Sequence, residues 1–98
     1  MKIVLLDEAQ ERFEAEDRWW REHRDAKELF VTEFEEAVRH VAAAPGIGQQ
    51  YRRTRGRLIQ RVLMPKTRCH VYYFYDSNRD ILEIHSIWGA RRKRGPGL

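Results

Sequence analysis

Hydrophobic and polar positions follow three successive rhythms along the chain. Residues 2–6 (KIVLL) form a short apolar run of β-forming side chains that stops at Asp7, which predicts a first strand. From Asp7 the rhythm turns helical, with Ala9, Phe13 and Trp20 on one side and Glu8, Glu11, Glu14 and Arg18 elsewhere. Asp7 with Gln10 has the form of a capping box, in which each side chain satisfies a free backbone N–H at the helix start. The helix is expected to loosen near His23 and Arg24, and Asp25 with Glu28 repeats the capping pattern for a second helix. There Phe30, Phe34, Ala37, Val38 and Val41 recur at helical spacing, the strongest periodic signal in the chain. Two helices joined so tightly fold back as an antiparallel hairpin. Pro45 and Gly46 end it, and PGIGQQYRRTRG (45–56) reads as a basic loop of turn formers.

Beyond this loop the period falls to two. RLIQRVLM (57–64), RCHVYYFY (68–75) and DILEIHSIW (80–88) are rich in branched and aromatic residues and are separated only by short turn-forming stretches. Such short connections make an antiparallel meander. The chain is therefore expected to be an α+β domain: a strand, a helical hairpin and a three-stranded antiparallel meander, with the helices on one sheet face. In the 68–75 strand, Cys69, Val71, Tyr73 and Tyr75 share one face and Arg68, His70, Tyr72 and Phe74 the other. The second set belongs to the face left open, where chemistry has room.

Composition narrows the class. Ninety-eight residues, 42% of them hydrophobic, suit one domain spanning 1–98 with a single core. Such a domain buries only about 60 to 65% of its unfolded surface, so a partner that covers exposed area matters to its stability. Cys69 is the lone cysteine, and no stretch has the form of a secretory signal or a bilayer span, which points to a cytoplasmic chain without membrane association. Residues 1–40 carry 7 Lys+Arg against 12 Asp+Glu, net −5, whereas residues 41–98 carry 12 against 3, net +9. If the halves form different faces, the basic one is suited to a phosphate-rich or acidic partner.

The charge peaks at Arg91, Arg92, Lys93 and Arg94, an unbroken block that competes between a solvated tail and one wall of a site. Ile87 and Trp88 tie it to the last strand, and Gly95 and Pro96 keep it from becoming a helix, which places it beside the open face with Arg61 and Arg68. The acidic residues of the first helix read most simply as a solvated face with Arg12 and Arg18 as helix-spaced partners. Trp19 and Trp20 point about 100° apart on a helix, so one packs on the sheet and the other is left for solvent or a partner. His23, His40 and His85 are scattered and no cysteine cluster accompanies them, so no metal site and no cofactor is expected.

The order of elements, together with several local patterns, resembles the RelE/ParE family of small bacterial toxins from toxin–antitoxin operons. The matching pieces are IVLLDEAQERFEAEDRWW as opening strand and helix, AAAPGIGQQYR as helix end and loop, RRTRGRLIQRVLMPKTRCHVYYFYDSNRDILEIHSIW as sheet, and GARRKRGP as terminal element. IQRVLMPKTRCHVYYFY and IWGARRKRGP are the most telling, and the resemblance spans nearly the whole chain. It implies a toxin held inactive by a cognate antitoxin whose acidic, amphipathic segment folds on binding, with a homodimer or a toxin–antitoxin hetero-oligomer as the assembly.

The resemblance implies two activities. RelE-like members are ribosome-dependent, metal-independent mRNA endonucleases, whereas ParE-like members, including proteins described by plasmid stabilisation, inhibit DNA gyrase. Cleavage by a 2′-hydroxyl needs a base, a cation for the phosphorane charge and an acid for the leaving oxygen. Arg61 sits where the family has a basic residue, and His70, whose ordinary pKa is near 6.5, falls by strand register near an essential arginine of the nucleases. Arg91 or Arg92 matches the arginine that follows the last strand and is placed to clamp phosphate. Arg61, His70 and Arg91 are thus the catalytic set for a nuclease. Arg61, Arg68, His70, Tyr72, Trp88, Arg91, Arg92, Lys93 and Arg94 are the set for binding a target or an antitoxin. No tyrosine follows Arg94 and the second meander strand lacks paired lysines, so the short GARRKRGPGL ending is more similar to ParE-type toxins. The leading expectation is a non-enzymatic gyrase inhibitor, followed by the endoribonuclease and then by a non-toxic nucleic-acid-binding module.

Overall fold

The computed structural model describes residues 1–90 and 95–98. Among these, β1 (Lys2–Leu5) leads into α1 (Asp7–His23) and α2 (Leu29–Ala43), followed by β2 (Gln49–Thr54), β3 (Arg57–Met64), β4 (Cys69–Asp76) and β5 (Ile81–Gly89). The strands form one sheet in the order β1-β5-β4-β3-β2, with β1 parallel to β5 and the other pairs antiparallel. The α+β class and the hairpin of helices on one sheet face stand as expected.

The helices are held by their apolar stripe. Phe13 of α1 lies against Phe30 and Phe34 of α2, with ring centroids 5.4 and 5.0 Å apart. Both helices then cover Cys69, Val71 and Tyr73 of β4 and Leu82, Ile84 and Ile87 of β5 in a continuous core. Burial of such aromatic and aliphatic side chains contributes about 1.5–3 kcal/mol each and outweighs local propensity. Neither helix has the expected cap. Leu6 and Glu28 occupy the N-cap positions without side-chain hydrogen bonds, and Asp7 falls inside the first turn, where its charge meets the helix dipole instead.

The stretch 45–56 is not a loop throughout, since Pro45–Ile47 is a single 3-10 turn and β2 follows it. QQYRRT carries one large apolar residue, so its period of two is invisible in hydropathy; as an edge strand it needs one covered side at most, and its charges discourage pairing with another chain. Arg55 and Gly56, at φ 51° and 75°, make the tight left-handed turn that returns β2 onto β3. Tyr73, fully buried, anchors the start of this hairpin: its hydroxyl donates to the Pro45 carbonyl (2.6 Å) and accepts from the Gly48 N–H (2.9 Å). A Cβ at position 48 would overlap that hydroxyl, so the close approach requires glycine. Burial pushes the Tyr73 pKa up, which keeps the phenol a donor.

Glu33 is buried in the middle of α2, at 5% exposure, facing the β3–β4 connection. Its carboxylate accepts from the N–H groups of Lys66 (2.7 Å) and Thr67 (2.9 Å) and from the Thr67 hydroxyl (2.7 Å). The PKT turn is thus closed by a side chain from the helical layer.

Candidate functional site on the open sheet face

Pairing places Arg61 opposite Tyr72 and Leu63 opposite His70 on the face away from the helices, with Trp88 opposite His70 at the end of β5. Arg61 is half-buried and held: its Nη1 donates to the Tyr72 hydroxyl (3.2 Å) and its Nε to Gln49 Oε1 (3.2 Å). The guanidinium also lies 5.3 Å from the centre of the Tyr51 ring. Such a fixed, partly dried guanidinium is a stronger anion binder than a solvated one. His70 sits 6.0 Å from the Tyr72 ring, centre to centre. Burial, then the charges of Arg61 and Arg68, lower its pKa below 6.5, so the imidazole is neutral at neutral pH.

The face is less open than expected. Ile59, Tyr72 and Ser86 stand outside the helix-backed core, yet each is at most 1% exposed. Residues 95–98 lie against the β2 side of this face: Tyr51 donates to the Pro96 carbonyl (3.5 Å), Arg52 to the Leu98 carbonyl oxygen (2.8 Å), and Pro96 is buried. A side chain at position 95 would overlap the Tyr51 hydroxyl, so Gly95 permits the closure. Ser86 is opposite Tyr72 and its hydroxyl is buried without a hydrogen-bond partner. Tyr72, expected as a contact residue, is 1% exposed and holds Arg61 through its hydroxyl.

Arg68 does not join the open face. β4 begins at Cys69, and Arg68 takes a left-handed conformation (φ 62°) in the preceding turn, with its carbonyl accepting from the Ala90 N–H (2.7 Å). Trp88 lies at the end of β5, where the Arg12 guanidinium sits 4.5 Å over its ring. Among the described residues Arg12 has no carboxylate partner on α1, where the ion pair is Arg21 with Asp17. Arg91, Arg92, Lys93 and Arg94 lie outside the described residues. Sequence reasoning passed over a further group, in which Glu83 Oε1 binds Arg57 (3.0 Å) and His85 (3.1 Å) on the Phe74 side of the face. His85 is the extra residue of a β5 bulge, and nothing in the local sequence announces that irregularity.

Among the described residues no group of histidine, cysteine and carboxylate side chains has a metal-binding arrangement, and no helix is long and apolar enough to cross a membrane. No protein-family model matches the chain, and no curated protein matches it. Among solved structures, the chain is similar to the crystal structure of the isolated E. coli RelE toxin, with a TM-score of 0.60 over 95% of this chain and 87% of that one, at 12% sequence identity. At that identity the likeness is one of fold, and it confirms the two-helix, five-strand arrangement.

Proposed function

We propose that this chain is the toxin of a type II toxin–antitoxin pair, kept inactive by a cognate antitoxin in the cytoplasm, and that it arrests growth by binding DNA gyrase rather than by cutting RNA. The toxin reading draws on the family pattern of the sequence and on a solved fold neighbour that is itself a toxin. The observation that carries the choice of mechanism is the occupied sheet face. Arg61 is tied to Tyr72 and Gln49, Tyr51 is tied to Pro96, and residues 95–98 lie against the β2 side of the face, which leaves less room there for a phosphodiester. The Tyr72 ring beside His70 is 1% exposed and its hydroxyl is held by Arg61, which suits recognition better than strand scission.

A second reading, a ribosome-dependent endoribonuclease, is favoured by one pairing. His70 is held neutral beside the Arg61 guanidinium, the combination of base and phosphate clamp that attack by a 2′-hydroxyl requires. Induction of the chain alone in a bacterial host, with plasmid supercoiling and message integrity followed in the same cells, separates the readings. Loss of supercoiling and double-strand breaks with intact message are expected. Early cleavage of translated message, abolished by Arg61→Ala and His70→Ala, would overturn the gyrase reading in favour of the nuclease. No growth arrest of either kind would overturn both.

A further inference from the structure

Residues 12–24, from α1 and the residue that caps it, and the β3–β4 turn enclose a groove of about 570 Å³. Arg12 and Arg24 enter it from α1, Lys66 and Arg68 from the turn, and Trp19 and Trp20 line it. One carboxylate, Glu16, shares the wall, yet among the described residues no carboxylate lies within ion-pair distance of any of the four cations. In a chain with 15 Asp and Glu, most of them on the helices, four cations gathered without an ion pair are a marked departure from a mixed surface.

The groove is also preorganised. Arg12 lies 4.5 Å over Trp88, and Arg24 lies 4.7 Å over Trp19 and 5.8 Å from the Trp20 ring centre, so both guanidiniums are seated on indole rings. A stacked guanidinium keeps its in-plane N–H fork available, the geometry that receives phosphate oxygens in pairs. His23 stacks at 4.9 Å on Trp19 as well, which leaves that ring less able to receive the apolar side chain of a peptide. The turn is fixed at three points: Glu33 binds its N–H groups, the Arg68 N–H donates to the Met64 carbonyl (2.8 Å), and the Arg68 carbonyl accepts from Ala90. It holds Arg68 at φ 62°, a conformation disfavoured for a long side chain, and such strain persists only where the surroundings impose it.

We infer that this groove is a phosphate-binding site for single-stranded nucleic acid, distinct from the open sheet face and independent of whether the chain is a gyrase inhibitor or a nuclease. Four unpaired cations around a volume of nucleotide size bind the backbone by charge and by guanidinium forks, so binding is weakly selective for base and strongly dependent on salt.

The test is fluorescence anisotropy of short fluorescein-labelled oligo-U and oligo-dT with the purified full chain across a salt series. Equal binding of the two assigns the phosphate backbone as the ligand, and preference for oligo-U adds the 2′-hydroxyl. In Arg12→Glu/Arg24→Glu the affinity is expected to fall at least about tenfold, with the salt slope smaller by about 1 for each cation removed from contact. Arg39→Glu/Arg79→Glu changes the net charge equally on exposed positions elsewhere and is expected to cost far less. Arg68→Asn, which suits the left-handed turn, and Lys66→Gln decide the matter if the α1 variant does not fold. Equal weakening by the control pair, or parent affinity in the groove variants, would overturn the site. Protection of Trp19 and Trp20 fluorescence by a glutamate-rich peptide but not by oligonucleotide would show that the groove takes an acidic protein segment instead.

Discussion

Replacing Glu33 by alanine removes three accepted hydrogen bonds from one nearly buried carboxylate. Bonds to a charged acceptor are worth about 1.5–3 kcal/mol each, but three made by one side chain do not add. What remains in the variant is the better guide: the Lys66 and Thr67 N–H groups and the Thr67 hydroxyl lose their partner, and Thr67 is only 9% exposed. An unsatisfied buried donor costs about 1–3 kcal/mol, and relief of the carboxylate's own desolvation offsets part of the total, leaving a loss of about 3 kcal/mol. For a chain of this length, whose whole stability is of order 5–15 kcal/mol, that lowers Tm by about 12–24 °C. Urea unfolding should show the midpoint falling with the slope unchanged, since the core remains. Glu33→Gln keeps an acceptor oxygen but turns an N–H₂ toward donors, and about half the loss is expected. An alanine variant within about 0.5 kcal/mol of the parent, the range of an ordinary surface substitution, would refute the view that the helical layer holds the β3–β4 turn.

Three further outcomes are expected. Tyr73→Phe orphans the Pro45 carbonyl and the Gly48 N–H, at a cost of about 1–3 kcal/mol in urea unfolding, with faster amide exchange in β2 than in β4. Because the His70 pKa is lowered in the folded state, the unfolded chain takes up a proton first as pH falls below 6.5. The contribution of the neutral imidazole is therefore complete above that value and is lost on acidification through the folded-state pKa, so His70→Gln should lose less stability between pH 7 and 5 than the parent; identical slopes would remove the effect. Gly95→Val forces a side chain against the Tyr51 hydroxyl, and exchange across β2 and the adjoining part of β3 should accelerate with a loss of about 1–2 kcal/mol; unchanged exchange would mean that residues 95–98 do not cover the sheet.

The parts of this fold that could be read from sequence were those in which burial and periodicity coincide. Phe30, Phe34, Ala37, Val38 and Val41 marked α2, and the alternation of Cys69, Val71, Tyr73 and Tyr75 with Arg68, His70, Tyr72 and Phe74 assigned the covered face correctly for the residues within β4. β2 was missed because an edge strand of glutamines and arginines is built by its turn and its partner's backbone, neither of which appears in side-chain hydropathy. Glu33 was missed for a related reason: a glutamate in a helix is ordinarily solvated, and its role depends on backbone N–H groups 33 and 34 residues away. Arg61 and His70 share the open face as expected. Arg68 leaves it because the strand starts one residue later than its alternation suggested, and a shift of that size moves a side chain to another surface.

Charge shows the same limit in a form that bears on function. The sequence divides into an acidic first half and a basic second half, and the natural inference is two faces of opposite sign. Folding undoes that division at one point. Arg12 and Arg24 come from the acidic half, but helical spacing carries them to the side of α1 that meets the β3–β4 turn, where Trp19, Trp20 and Trp88 hold them. They join Lys66 and Arg68 from the basic half, while α1 turns residues such as Glu8, Glu11 and Glu14 to solvent. Among the described residues positive charge thus gathers both on the Arg61–His70 face and in the groove beside the turn, and residues 95–98 lie on the β2 side of the first. The two sites adjoin at the end of β5, where Trp88 lies opposite His70 and under Arg12, so whether they can be occupied separately is itself testable. A complex saturated at the sheet face should still bind oligonucleotide through Arg12 and Arg24.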